Sequence, residues 1–426
     1  MDTDAPPLSP THGSDTLPSA ERAFVTNDDD SATATAVVAA AQRIAERLLA
    51  EAAESESRGH YSVEAHEEML AAGLYTITVP RMFGGSQLPL PVHTRVVIEL
   101  AKGDGGSAWC FSLAAGHSIT ATAFWPESVQ AELFAADGNF LAPHQFAHGG
   151  SVVPGERDGM PGLIVNGTYP FSSGIPFSTH LMVNSPVTDG ELAPYDVTFV
   201  VPRSDYAILD NWSGAFGMKA SGSNAAVLTD VFVPMERVYD YGRAQPSASS
   251  HGTELHGSSM YLGGLDAYHP AGIAAVIVGE ARGALREFEE IMGRSKSGRS
   301  ASSKLHDADF QQTFGLALEL VDSAEALVMS SVSAYLSACE AAVTTGVPLA
   351  SDQVRRIGGL GQSGGRFAAE AIDMLFAHVG SLHVIDGTRM QRIQRNALMY
   401  RTHGRMQQRA NAAGIARSYW GIAEPA

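Results

Sequence analysis

The chain has 426 residues, enough to bury a large core and to form two or three domains. With 45% hydrophobic and 17% charged residues it reads as a globular enzyme, and no apolar run approaches the roughly eighteen residues that a membrane span needs. A formal net charge of −18 repels nucleic acid and anionic membrane surfaces, and no basic run offsets it.

Met1 to about Ser31 is rich in Asp, Thr, Ser and Pro and lacks the basic-then-apolar pattern of a signal peptide, so a disordered tail over residues 1–31 is expected. A helical domain is expected over 32–140. Val37, Val38, Ala41, Ile44, Leu48 and Leu49 recur at helical spacing between Ala34 and Ser55. A second helix runs from Ser62, its candidate N-cap, to Ala72, and Gly73 ends it; Ala65 stands where a capping box would need an acid. Pro91–Ala101 and Ser107–Ala115 read as helices on either side of the Gly103-Asp104-Gly105-Gly106 turn. Pro126 suits the first position of a helix ending near Ala136.

At about Leu141 the composition changes. Short apolar runs bounded by Gly, Pro, Asn and Asp predict a β-domain over 141–245, with its clearest strands at Leu163–Val165, Leu181–Val183, Val197–Val201 and Val227–Val233. Ala244–Gly264 is Ser-, Gly- and His-rich and reads as a long loop. Helices at about His269–Gly293, Asp307–Thr345, Asp352–Val379 and Thr388–Ala413 then predict an antiparallel bundle within 246–426. Cys110 and Cys339 are too few for a disulfide framework and sit among small or apolar neighbours, which fits buried free thiols and a reducing cytoplasm.

Chemistry concentrates in two places. Asn166-Gly-Thr-Tyr-Pro-Phe-Ser-Ser-Gly174 is a strand followed by a hydroxyl-rich turn, and about forty residues later Trp212 and Gly217-Met-Lys-Ala-Ser-Gly-Ser223 form a second small-residue turn. Such turns let a flat polar ligand approach backbone amides closely. Near the C-terminus stand Ile385-Asp386-Gly387-Thr388, Arg395-Asn396 and Thr402-His403. No Gly-x-Gly-x-x-Gly follows a strand, and there is no Walker loop and no Gly-x-Ser-x-Gly elbow; nucleotide and serine-hydrolase sites are thereby unsupported. His117, His144 and His403 are not spaced as a metal set, since no pair of them has a helical i, i+4 or other compact ligand spacing.

The helical–β–helical order and these motifs resemble the acyl-CoA dehydrogenase superfamily over roughly residues 35 to 415, and the Phe171-Ser172-Ser173-Gly174 wording resembles its two-component flavin-dependent monooxygenase branch. The resemblance implies an α+β fold with a helical N-terminal domain, a β-barrel-like middle domain, a C-terminal four-helix bundle and a homotetramer. It implies reduced flavin (FMNH2 or FADH2) supplied by a separate reductase, O2 as co-substrate, a C4a-hydroperoxyflavin, and a small, aromatic substrate. Phe171, Ser172, Ser173 and Trp212 match its flavin-contacting turns, with Ser173 on the N5 side. Arg299 and Phe310 lie in a segment similar to the one that reaches flavin phosphates across a subunit interface, though a solvated basic loop explains the same residues. His403 resembles the histidine that faces the flavin, and His117 and His144 stand where relatives meet substrate and flavin; imidazoles titrate near neutrality and so move protons.

Two other readings stay open. Asp386 stands before Gly-Thr as a dehydrogenase's base does, but it precedes the Arg-Asn pair and is one methylene shorter than Glu; it also serves as a helix N-terminal charge. A non-catalytic bundle protein that has lost flavin is the third.

Overall fold

The computed structural model describes residues 24–25, 27–135, 138–147, 149–244, 246–295 and 303–422. Helix α1 (Asp28–Ala50) starts earlier than the sequence reading allowed, so that residues 28–31 are helical and not part of a tail. The Asn27 side chain accepts from the Asp30 amide, and three aspartates in the first turn complement the helix dipole. Residues 1–23 lie outside the described residues. Short helix α2 (Ala52–Arg58) ends on Gly59, and α3 (Val63–Ala71) is capped by the Ser62 hydroxyl, which accepts from the Ala65 amide at 3.1 Å. Helix α4 (Leu90–Ala101) is buried on every side. Asp104, read as part of a turn, is the N-cap of α5 (Gly105–Ala115). Helices α6 (Ser118–Phe124) and α7 (Glu127–Leu133) follow, with Pro126 as the N-cap of α7 and not its first residue.

Among the described residues eight strands then form two four-stranded sheets. β1 (His144–Gln145), β4 (His180–Pro186), β5 (Asp196–Pro202) and β8 (Val238–Tyr239) make one, in the order β1-β4-β5-β8 with a parallel β1–β4 pair. β2 (Gly150–Arg157), β3 (Met160–Tyr169), β7 (Ala226–Pro234) and β6 (Ala207–Ile208) make the other, in the order β2-β3-β7-β6. Val152, Leu163, Val165, Leu181, Val183, Phe199 and Val233 belong to one buried cluster within this β region. The alternate residues Met182 and Val200 pack instead on Trp125, Val129 and Phe140. Strands β4 and β5 are therefore apolar throughout because both faces are covered. The β-region is thereby fixed to the first helical layer, which sets the walls of the site.

The segment read as one long loop contains a short helix, α8 (His251–His256), whose Ser250 cap and Thr253 form a reciprocal capping pair. The bundle is α9 (His269–Arg294), α10 (Ala308–Thr345), α11 (Ser351–Phe376), α12 (Arg389–Tyr400) and α13 (Gln408–Trp420). Against the sequence reading, α10 is long and apolar enough by length and composition to cross a membrane; half of its most apolar window is buried in the protein. Close helix approach in the bundle needs glycine: a Cβ on Gly361 would meet the Ala271 backbone at 2.6 Å, and one on Gly365 would meet the Tyr400 hydroxyl at 1.6 Å.

The helix expected over Thr388–Ala413 is broken. α12 stops at Tyr400, His403 has extended backbone (φ −66°, ψ 134°), and Gly404–Met406 form a 3-10 turn before α13. The Thr402 hydroxyl donates to Met399 O at 2.7 Å, and His403 Nδ1 accepts from the Arg405 amide at 3.2 Å. Side chains that bond the local backbone compete with helix propagation, and Gly404 adds its own helix penalty. His403 consequently sits at a helix break and not on a helix face.

Candidate functional site

A cavity of about 590 Å³ lies where α5, the β-region turns and the broken end of the bundle meet. Its β-side wall is the hydroxyl-rich turn. Phe171 takes a left-handed conformation (φ 60°), is 61% exposed, and meets the Trp212 ring edge-on at 6.1 Å. Ser173 is buried: its Oγ accepts from Trp109 Nε1 at 3.1 Å and bonds Ser223 Oγ at 2.7 Å, which in turn bonds Ser221 Oγ at 2.6 Å. The Gly174 amide donates to Ser221 O at 3.0 Å, which laces the two small-residue turns together. Gly174 has φ 87°, and a Cβ there would stand 2.6 Å from the Cys110 carbonyl; position 174 admits no larger residue without moving α5.

The bundle side contributes Tyr400, Thr402, His403 and Arg405. His403 meets Trp109 edge-on at 5.5 Å. Burial, then the Arg405 charge, pushes its imidazole down to about 4, so the ring is neutral at physiological pH. Because Nδ1 accepts from an amide, the proton of the neutral ring rests on Nε2. The Arg395-Asn396 pair braces the second small-residue turn. Arg395 donates to Phe216 O at 2.9 Å, and Asn396 Oδ1 accepts from the Met218 amide at 2.6 Å. Asn396 Nδ2 donates to Glu280 Oε1 at 2.6 Å, deep in the bundle, where burial raises the Glu280 carboxyl to about 8. This chain pins the Gly217-Met218 turn to α9.

Histidines line the remaining wall. His117 and His144 meet edge-on at 5.4 Å, and His269 stands 6.2 Å from His117. His93, on α4, has Nδ1 at 3.4 Å from the Tyr268 hydroxyl. Burial is the leading cause that lowers all four, to about 4 for His93 and about 3 for His269. His117 Nδ1–H donates to Ala142 O at 2.9 Å, so its neutral ring keeps an unprotonated Nε2. Neither ring nitrogen of His144 has a hydrogen-bond partner among the described residues.

Of the residues singled out from sequence, His403, Ser173, His117, His144, Phe171 and Trp212 line this one cavity. Ser172 does not: its hydroxyl donates to Tyr169 O at 3.2 Å, so it closes the turn. Phe310 lies elsewhere, under Lys304 and beside Phe288. Arg299 falls outside the described residues. Asp386 is exposed, accepts from the Gly387 amide at 3.1 Å, and does not reach the cavity. No carboxylate lines the cavity among the described residues, which removes the base the dehydrogenase reading needs. Nor, among them, is any group of three His, Cys, Asp or Glu arranged to hold a metal ion. Sequence reasoning missed Trp109, His93, Tyr268 and His269. No motif in the sequence marks Trp109, and no spacing links α4 to the start of α9.

Comparison with known proteins agrees with this geometry. Residues 31–125 match the acyl-CoA dehydrogenase N-terminal domain and residues 271–408 its C-terminal domain, together over half of the chain. The chain is 28% identical over 360 residues to the flavin-dependent monooxygenase oxygenase subunit HsaA of Rhodococcus jostii (strain RHA1), covering 83% of this chain and 90% of that one. It is 32% identical over 219 residues to the p-hydroxyphenylacetate 3-hydroxylase oxygenase component of Acinetobacter baumannii, covering 51% and 50%. Among solved structures, 3-HSA hydroxylase from Rhodococcus sp. RHA1 superposes with a TM-score of 0.81 at 24% identity, over 92% of this chain and 98% of that one. XiaF from Streptomyces sp., solved with FADH2 and glycerol, does so with a TM-score of 0.82 at 20% identity, over 93% and 98%. The chain belongs to the acyl-CoA dehydrogenase family, in its branch of two-component flavin-dependent monooxygenases.

Proposed function

We infer that the protein is the oxygenase component of a two-component monooxygenase that takes reduced flavin from a separate reductase and inserts one oxygen atom of O2 into a small, aromatic substrate. The observation that carries this is one cavity with a buried hydroxyl chain on one side, neutral imidazoles on the other, and no carboxylate among the described lining residues. The residues fit a flavin ring. Ser173 and Ser223 present hydroxyls, Trp109 orients Ser173, and Trp212 and Phe171 offer ring surface at the mouth. Bound in reduced form, the flavin supplies the two electrons that divide O2 between substrate and water.

The chain's own residues do the rest. His117 presents an unprotonated Nε2 that accepts a phenol proton, with Nδ1–H held by Ala142 O. His403 presents Nε2–H as a donor, since Nδ1 is engaged by the Arg405 amide. Burial of Ser173 and the histidines keeps water from competing for these hydrogen bonds. Phe171, Ser173 and Trp212 are assigned to the flavin, His403, His117 and His144 to proton handling. A homotetramer, a cytoplasmic location, and action away from nucleic acid and membranes complete the reading; the net charge of −18 supports the last.

The test is anaerobic binding of FMNH2 and FADH2, followed by mixing with O2 and a panel of phenols. The expected result is altered reoxidation of the bound flavin and oxygenated product with at least one phenol. Reoxidation identical to that of free flavin, with no product, would overturn the assignment.

A further inference from the structure

His93 has no role in the chemistry above, yet it lines the same cavity. It projects from α4, whose every residue is buried, and is itself only 3% exposed. Among the described residues its Nε2 has no hydrogen-bond partner, and its Nδ1 has only a long contact to Tyr268. A buried nitrogen left unsatisfied is destabilising, and a Phe or Leu would pack the same volume without that penalty. The surroundings restrict what such a nitrogen can meet. Leu113, Ile273 and Gly272 also line the cavity and give it apolar surface suited to a ring system. Arg405 is the one charged lining side chain among the described residues, and it is ion-paired with Asp266 and stacked over Phe146. Among the described lining residues the cavity thus offers imidazole hydrogen bonds, and its single guanidinium is already engaged. An anion placed there would be desolvated without compensation, whereas a hydroxyl or carbonyl matches a neutral imidazole in either tautomer.

We propose that His93 is a specificity-determining residue that hydrogen-bonds a second oxygen function of the substrate, which is an uncharged aromatic carrying one oxygen toward His117 and His144 and another toward His93. This rests on the hydroxylase reading and narrows its substrate class. It separates the oxygen that is activated from the oxygen that is only recognised.

The experiment measures binding by calorimetry, with FMNH2 present anaerobically, of naphthol, a set of dihydroxynaphthalenes and a hydroxynaphthoate, to the natural protein, His93→Phe and His93→Gln. The natural protein should bind at least one dihydroxynaphthalene roughly five- to tenfold more tightly than naphthol, as one added hydrogen bond allows, and the hydroxynaphthoate more weakly than naphthol. His93→Phe should erase the advantage while naphthol binding changes less than about twofold, and His93→Gln should restore part of it, because an amide offers both donor and acceptor. Should His93→Phe fail to fold, His93→Gln alone decides, by lowering the preference without abolishing it. No preference among the three ligand types, tightest binding of the hydroxynaphthoate, or a preference that survives both substitutions overturns the proposal. Oxygenation of naphthol is scored in parallel. If naphthol is oxygenated but the preference is absent, only the His93 assignment fails; if no phenol is oxygenated, the hydroxylase reading fails instead.

Discussion

Trp109 Nε1 donates to Ser173 Oγ at 3.1 Å, and this bond joins the first helical layer to the turn of the β-region that faces the cavity. Because the indole N–H can only donate, it takes an acceptor site of the Ser173 oxygen and leaves the hydroxyl proton to point at Ser223 or into the cavity. The neighbouring helix thereby sets the direction of a hydroxyl.

Ser173→Ala should therefore act on stability and on coupling. Trp109 Nε1 loses its acceptor in a buried setting, a cost of about 1–3 kcal/mol. Under the flavin reading, product formed per reduced flavin consumed should fall while hydrogen peroxide release rises. Unfolding midpoints and product-to-peroxide ratios read the two effects. An unchanged ratio would remove Ser173 from the flavin edge.

The histidines predict an acid-labile fold. Burial holds His93 and His403 down to about 4 and His269 to about 3, against an ordinary value of 6.5. The unfolded chain takes these protons first, so the stability from neutral burial is fully present above pH 6.5 and is lost as pH falls toward 4. Each histidine contributes a slope of about 1.4 kcal/mol per pH unit at its steepest. Urea unfolding measured from pH 6.5 to 4.5 should show a fall of several protons' worth, and a flat profile would contradict the burial. By the same shift, a step in turnover near pH 6.5 should not belong to His403: in His403→Asn any such step should persist.

Asn396 is the joint between the bundle and the second small-residue turn. Asn396→Ala strips the Met218 amide and Glu280 Oε1 of their shared partner. Loss of about 1–3 kcal/mol in stability is expected, together with weaker binding of reduced flavin because the Gly217-Met218 turn is released. Retained affinity, measured by anaerobic titration, would show that Arg395 alone holds the turn through Phe216 O.

What the sequence made legible follows from how local each signal is. The helical periods, the apolar strands and the Ser62 cap are set by residues a few positions apart, and the observed elements follow them closely. The Phe171–Gly174 and Gly217–Ser223 turns were readable because glycine and serine announce tight backbone. His403 was found from its wording, but the helix break that presents it was not, since Thr402 and Gly404 tip a balance that periodicity alone does not weigh. The partners of Ser173 and Asn396 come from distant segments, Trp109 on α5 and Glu280 on α9. Only packing brings those together.

Glu280 supplies the sharpest test of that packing. Its carboxyl is 2% exposed and raised to about 8, first by burial and then by Asp104 beside it, with Asn396 and the Gly105 amide opposing. A carboxyl whose folded value lies above its unfolded value of 4.5 is protonated when folded while the unfolded chain ionises, so stability falls as pH rises from about 4.5 and levels off above 8. The cavity histidines titrate alike in the natural protein and in a variant at position 280, so the difference between the two isolates Glu280. Glu280→Gln keeps an oxygen for Asn396 and cannot ionise. The stability difference between the variant and the natural protein should therefore grow by about 2 kcal/mol in the variant's favour between pH 6.5 and 8. Chemical unfolding at these two pH values measures it directly. Parallel profiles would mean that Glu280 is ionised in the folded protein, and the Asn396–Met218 chain would then end on a carboxylate and not on an acid.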